Sequence, residues 1–108
     1  MNQITVHGKL IDDAQKFLIT TSKGETPLVT FYVLDSGLPY QRGDPLIIEV
    51  HFIKEVASHI FKHLKKDKEI ILSGFLKQKN YTTADGIDKG KYYISAEYVT
   101  LLPKYKTE

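Results

Sequence analysis

The chain has 108 residues, of which 42% are hydrophobic, and its formal net charge is +2. This length suits one compact domain that buries on the order of 65% of its unfolded surface. The sequence has no cysteine, which excludes disulfides, thiolate catalysis and cysteine zinc sites. Because the total charge is nearly balanced, any preference for nucleic acid has to come from where the lysines lie.

The two ends of the sequence give expectations about location and domain limits. No charged region followed by an apolar run opens the chain, and no segment approaches the roughly 20 apolar residues that span a bilayer. We therefore expect a cytoplasmic protein that does not bind a membrane. We also expect one domain over residues 1–104 and a short polar tail over residues 105–108.

Alternation of apolar and polar residues predicts the first two strands. The first covers residues 4–11 and turns Lys9 outward. A short polar stretch that ends at Gly24 is expected to connect it to a second strand over residues 28–34, rich in β-branched and aromatic residues. On this second strand Tyr32 is expected to face outward.

A loop, a third strand and a helix follow. Glycines and prolines between residues 35 and 45 indicate a loop, which carries Tyr40 and Arg42. The third strand, over residues 46–52, places Glu49 and His51 on the same side. Apolar residues at helical spacing then predict one amphipathic helix from about residue 54 to residue 66.

The segment over residues 69–78 carries the clearest functional signal. Its apolar residues fall on one side of a strand, while Phe75, Lys77 and Lys79 fall on the other side and Tyr81 continues that row. Such a row suits single-stranded nucleic acid, because lysine neutralises phosphate and a ring stacks on any base. The alternative is that the lysines only cover a solvent-exposed face and protect a sheet edge from pairing with other chains. An exposed Phe75 argues against this, because it needs a base, another subunit or a loop as partner.

A final strand is expected over residues 91–101, after a turn-rich stretch, and it begins with Lys91. Tyr92 and Tyr93 lie on opposite sides of it, so only one of them can extend the aromatic row, and the sequence does not indicate which. The resulting order, β-β-β-α-β-β, is that of the OB-fold. This mainly β fold is a five-stranded Greek-key barrel, and the face of its strands 2 and 3 and the connecting loops commonly bind single strands.

Several short motifs occur in a specific order along nearly the whole chain. They are Val6-His7-Gly8-Lys9-Leu10, Phe31, Glu55-Val56-Ala57, Leu64-Lys65-Lys66, Ser73-Gly74-Phe75-Leu76, and Tyr81 ahead of Asp85-Gly86. In this order they resemble the bacterial single-stranded-DNA-binding protein family. The resemblance implies an OB-fold and non-catalytic binding of single-stranded DNA in replication, recombination or repair. It also implies a homo-oligomer, usually a tetramer.

The resemblance assigns roles to individual residues. Lys9 matches a phosphate contact after the glycine of strand 1, and Tyr40 lies near a loop position that often carries a stacking ring. Lys77 and Lys79, followed by Tyr81, match the basic and aromatic end of the fourth strand. Combined with the outward residues above, the predicted nucleic-acid-binding set is Lys9, Tyr32, Tyr40, Arg42, His51, Phe75, Lys77, Lys79, Tyr81 and Lys91.

The sequence departs from the family pattern in three places. Ile47 and Ile53 stand where the family commonly has aromatic residues, which lowers the expected affinity because each base stack contributes roughly 1–3 kcal/mol. Glu49 places a carboxylate on the presumed binding face, where it repels phosphate. The sequence also stops at Lys106-Thr107-Glu108 without the family's acidic tip, so recruitment of replication or repair proteins through such a tip is not expected.

Two other functions agree with the same fold. One is a primosome-type or recombination accessory protein, usually dimeric, that acts mainly through contacts with other proteins. The other is an RNA-binding OB domain, since stacking and phosphate contacts do not distinguish the sugars. His59 and His63, with Glu55 one turn earlier, are spaced like metal ligands on one helix face. No further Cys or His lies in an obvious position to complete such a site, so a polar helix face is the favoured interpretation. We expect no catalytic residue, no metal and no cofactor.

Overall fold

A computed structural model describes residues 2–35, 46–53 and 55–103, with the side chain of Glu55 excepted. Six strands and one short α-helix lie in this part of the chain. Their bounds are β1 Ile4–Leu10, β2 Gln15–Thr21, β3 Gly24–Asp35, β4 Ile47–Phe52, α1 Glu55–Ile60, β5 Glu69–Thr82 and β6 Asp88–Leu101. A 3-10 turn at Phe61–His63 directly follows α1.

Strand β1 closes the sheet into a ring, because it pairs with β5 on one side and with β3 on the other. Around the ring the order is β1, β5, β6, β4, β3 and back to β1. The contact between β4 and β6 is parallel, whereas the other contacts are antiparallel. In the described residues β2 pairs with β3 alone and extends the ring as a hairpin. Five ring strands with the helix between the third and the fourth confirm the predicted OB-fold.

The core fills the inside of this ring. Every second residue of the ring strands points inward, and Val29, Val33, Val50 and Ile94 are completely buried. Leu64, which follows the 3-10 turn, is also completely buried and belongs to the same core. Full burial of such a side chain contributes roughly 1.5–3 kcal/mol, so the apolar phase of each strand fixes which of its sides faces solvent.

The prediction of a polar connection between the first two strands was wrong, because this stretch contains β2. Each residue of β2 has a partner on β3, from Gln15 opposite Thr30 to Thr21 opposite Gly24. Gly24 has a φ of +100°, which permits the tight turn of this hairpin. Residues 15–18 of β2 are all exposed. Because neither side of this part of the strand is buried, its sequence does not alternate between apolar and polar residues, which is the pattern that identifies a strand.

The helix is shorter than predicted, since α1 ends at Ile60 and the 3-10 turn ends at His63. The next backbone groups bind the end of β1 and its connection to β2 instead of continuing the helix. The carbonyl of Leu64 accepts from the amide of Ala14, and the amide of Asp67 donates to the carbonyl of Leu10. Asp67 also has a φ of +70°, which a right-handed helix does not permit.

The β5–β6 hairpin is longer than predicted, because both strands continue through most of the turn-rich stretch. The two strands pair as far as Thr82 opposite Asp88, so that only residues 83–87 form the turn. Thr83 holds this turn together, since its amide donates to the carbonyl of Ile87 and its carbonyl accepts from the amide of Gly86. The outer half of the hairpin therefore projects beyond the barrel as two paired strands.

Two glycines on the β5–β6 ladder give a test of how closely the barrel is packed. A Cβ on Gly74 would lie 2.1 Å from the carbonyl oxygen of Ser95 and 2.8 Å from the Cα of Ala96, so the backbone would have to move. We expect Gly74→Ala to lower the free energy of unfolding by about 1–3 kcal/mol. A Cβ on Gly90 would meet only the side-chain ends of Gln78 and Asn80. Gly90→Ala is the matched control and should cost less; equal losses in urea unfolding would contradict this account.

Candidate nucleic-acid interface

The register of four strands defines one continuous outer surface. Tyr32 on β3 is opposite Glu49 on β4, Glu49 is opposite Tyr93 on β6, and Tyr93 is opposite Lys77 on β5. Paired residues point to the same side of a sheet, so these four side chains form a row across the outside of the barrel. A second row beside it consists of Thr30, His51, Ser95 and Phe75. We call the outward side of these four strands the β3–β4–β6–β5 face.

Glu49 lies at the centre of this face and is nearly buried, with 13% of its side chain exposed. Its carboxylate accepts a hydrogen bond from the Tyr32 hydroxyl at 3.1 Å and pairs with the Lys91 ammonium at 2.8 Å. The His51 ring also contacts it through Nε2. Three side chains from three strands therefore converge on one carboxylate.

These contacts keep the carboxylate ionised. Burial raises the pKa of Glu49, but the hydrogen bonds from Lys91, His51 and Tyr32 outweigh that effect and lower the pKa from 4.5 to about 2. The same contact with Glu49 raises the pKa of Lys91. Half of the Lys91 side chain remains exposed, and its ammonium also lies 5.8 Å from the centre of the Tyr32 ring. The repulsion that we expected between the Glu49 carboxylate and phosphate is thus offset by the Lys91 ammonium, which also faces solvent.

Two rings form a stacked pair on the same face. The centroids of His51 and Tyr93 are 4.3 Å apart, with an angle of 27° between the ring planes. Tyr93 is therefore the residue of the Tyr92-Tyr93 pair that extends the aromatic row. Tyr92 lies on the other side of β6, where 59% of it is exposed. The alternation within β6 does not make this choice from the sequence, because its inward positions change from Ile94 and Ala96 to Val99 and Leu101 at an irregularity opposite Ser73 and Gly74.

The projecting part of the β5–β6 hairpin continues the face with cations. Lys79 is opposite Lys91, and Tyr81 is opposite Lys89. All four side chains are exposed, as are Phe75 and Lys77 nearer the barrel. The hairpin therefore presents four lysines and two rings on one side. Lys89 and Tyr93 belong to this surface although they were not in the predicted set.

The other predicted residues lie outside the two central rows. Lys9 is opposite Leu34, two residues along β3 from Tyr32, so it lies at the margin of the face. Its ammonium is 3.9 Å from the Asp67 carboxylate. Tyr40 and Arg42 lie outside the described residues, and their assignment remains a prediction from the sequence.

In the part of the chain that the structure describes, no group of three or more His, Asp or Glu side chains has an arrangement that could hold a metal ion. In the same residues, no helix has both the length and the apolar character that crossing a membrane requires.

The lowered pKa of Glu49 predicts a pH dependence of stability. The native state binds the proton more weakly than the unfolded chain, so the stabilisation is complete above pH 4.5 and is lost as the pH falls towards 2. A lowering from 4.5 to about 2 corresponds to about 3 kcal/mol. Glu49→Gln should lose this contribution, so the free energies of unfolding of wild type and variant should converge between pH 5 and pH 2. Denaturant unfolding across that range measures it, and a constant difference would contradict the assignment.

Comparison with known proteins supports the fold. No protein-family model matches the sequence, and no curated protein matches it either. A solved structure described as the Plasmodium falciparum SSB complex with ssDNA is similar to this chain, with a TM-score of 0.79. The similarity covers 95% of this chain and 96% of that one, at 14% sequence identity. At this identity the similarity establishes the architecture, and the chain has the fold of that single-stranded-DNA-binding protein.

Proposed function

We propose that this protein binds single-stranded DNA without catalysis and with little dependence on base sequence. One observation carries the proposal: the β3–β4–β6–β5 face combines exposed rings with a row of lysines on the outside of an OB-fold. A ring stacks on any base, and a lysine binds the phosphate that every nucleotide carries. The similar Plasmodium falciparum structure is a complex with single-stranded DNA, which supports the same activity here.

The lysines would supply the electrostatic part of the affinity. Lys77, Lys79 and Lys91 lie on the face itself, Lys9 lies at its margin, and Arg42 would add a loop contact. Each neutralised phosphate of a single strand releases condensed cations and contributes a slope of roughly −0.7 to the logarithmic dependence of affinity on salt. Binding should therefore weaken steeply as salt is added.

The rings would supply the part of the affinity that is independent of charge. Tyr32, Phe75 and Tyr81 are each exposed by about 40% or more, and the His51–Tyr93 pair provides a stacked platform between them. Tyr40 is proposed as a further ring from the loop before β4. A stacked base would cover the exposed ring of Phe75. This favours binding of bases over the alternative that the lysines only protect a sheet edge.

The resemblance to the bacterial family supports more specific proposals. We infer one DNA-binding domain over residues 1–104 with a short polar tail after it, acting in the cytoplasm in replication, recombination or repair. We also infer a homo-oligomer, with a tetramer favoured over a dimer.

Fluorescence anisotropy with labelled oligo-dT, a matched oligo-U and a duplex of equal length tests the function. Tight binding to oligo-dT alone supports the proposed function. Tighter binding to oligo-U, or equal binding to oligo-dT and the duplex, would contradict it.

Charge reversal on the β5–β6 hairpin tests the electrostatic contacts. We expect Lys77→Glu with Lys79→Glu to lower the affinity for oligo-dT at low salt by about 100-fold or more, since hydrogen bonds to charged groups contribute about 1.5–3 kcal/mol each. The salt slope should become shallower by about 1.4. The matched control is Lys62→Glu with Lys66→Glu, which changes the total charge equally near the helix. Similar losses in both double variants would indicate that only total charge matters.

Neighbouring tyrosines on β6 test the stacking platform. We expect Tyr93→Ala to weaken binding of oligo-dT by 1–3 kcal/mol, because it removes one ring of the stacked pair. The salt slope should stay the same, since no charge is lost. Tyr92→Ala removes an equal and more exposed ring from the opposite side and serves as the control. Equal effects of the two variants in anisotropy titrations would remove the His51–Tyr93 platform from the proposed site.

A further inference from the structure

The β2–β3 hairpin presents an exposed phenyl ring that no prediction from the sequence had assigned to the binding site. Phe17 on β2 is 49% exposed and lies opposite Leu28 on β3. Its chain neighbour Lys16 points to the other side of the hairpin, where its ammonium lies 5.3 Å from the centre of the Phe61 ring. Phe61 packs against the core beside the helix. Phe17 therefore points away from the helix.

The register shows that Phe17 points to the same side as the β3–β4–β6–β5 face. Gln15, two residues before Phe17, is opposite Thr30, and Thr30 is opposite His51. Residues two apart on a strand and residues paired between strands share one side of the sheet. From His51, Phe17 is about two strand spacings across, or about 10 Å, and about 7 Å along the strands. The face thus continues without interruption onto the hairpin.

The surroundings of Phe17 differ from those of the β5–β6 hairpin. Within residues 15–30, all of which are described, the side chains on this side are uncharged. They are Gln15, Phe17, Ile19, Thr21, Thr26, Leu28 and Thr30. Ile19 and Leu28 are half-buried, so Phe17 is one exposed ring among threonines and a glutamine. An interface with another protein normally buries about 800 Å² per partner, which a single ring does not supply.

We infer that Phe17 is a second stacking platform for a base of the single strand, at the end of the face that carries no cations. This inference rests on the proposed function and extends it. The single-stranded DNA would pass from the lysines of the β5–β6 hairpin, across Tyr93 and His51, to the uncharged side of the β2–β3 hairpin. Contacts at one end would depend on salt, and the contact at the other end would not.

Replacement of single apolar residues on β2 tests the inference. We expect Phe17→Ala to lower the affinity for oligo-dT by about 5-fold to 100-fold, with the salt slope unchanged, because the loss involves a base stack and no phosphate. Phe17→Tyr keeps the ring and should retain the affinity. The matched control is Leu18→Ala, since Leu18 is more exposed, at 67%, and lies on the opposite side of β2. It should change the affinity less than 2-fold.

A spectroscopic measurement reports the contact directly. The chain contains seven tyrosines but no tryptophan, so Phe17→Trp and Leu18→Trp each introduce a single tryptophan, whose fluorescence can be excited apart from that of tyrosine. Stacking on a base should quench the fluorescence of Phe17→Trp when oligo-dT is added, while the fluorescence of Leu18→Trp should hardly change. This readout does not require that Phe17→Ala remain folded.

The outcomes separate this inference from the proposed function. If wild type binds oligo-dT but Phe17→Ala matches Leu18→Ala and neither tryptophan is quenched, the inference is overturned and the proposed function stands. A failure of wild type to bind at low salt would refute the proposed function itself. If Phe17→Ala changes the subunit number in analytical ultracentrifugation and Leu18→Ala does not, Phe17 lies between copies of the chain, which also overturns the inference.

Discussion

Closure of the sheet by β1 is the constraint on which the rest of the structure depends. The strand has to approach β3 closely enough that a Cβ on Gly8 would lie 2.2 Å from the carbonyl oxygen of Leu34. Once the ring is closed, each of its strands has one side in the core and one side outside. The apolar residues of β3, β4 and β6 fill the inside, and the polar and aromatic residues between them are left on the outer surface. The proposed binding face is therefore a direct consequence of how the core is filled.

Glu49 shows how a negative charge can belong to a surface proposed to bind a polyanion. Its carboxylate accepts contacts from Tyr32, His51 and Lys91, which belong to three different strands. The charge is offset by Lys91, and the contacts hold two rings and an ammonium in position before any ligand arrives. Ordering a long side chain on binding costs about 0.5–1.5 kcal/mol, so this arrangement removes part of that cost. A carboxylate that looks unfavourable in the sequence thus acts in the structure as an anchor for its neighbours.

The sequence predicted those parts of the molecule in which burial produces a periodic pattern. The five ring strands, and the outward position of Phe75, Lys77 and Lys79, follow from alternation within one strand, and the structure has them. Strand β2 was missed because exposure of its first residues on both sides removes the alternation. The choice between Tyr92 and Tyr93 stayed open because an irregularity shifts the alternation of β6. The anchoring role of Glu49 was missed because it depends on contacts with side chains of three strands. The helix was overestimated because its last turn is replaced by hydrogen bonds to the β1–β2 connection.

The two hairpins that extend from the barrel are built from different chemistry, and this difference has a mechanistic consequence. The β5–β6 hairpin carries lysines beside its rings, whereas the same side of the β2–β3 hairpin carries one exposed ring and no charge. Added salt screens the first kind of contact and leaves the second almost unaffected. A strand held at both ends would therefore lose its hold at the β5–β6 hairpin first as salt rises, while the base on Phe17 stays stacked. In the proposed arrangement the cations would increase the rate of encounter and contribute most of the affinity at low salt, and the uncharged end would retain the single-stranded DNA where screening is strong.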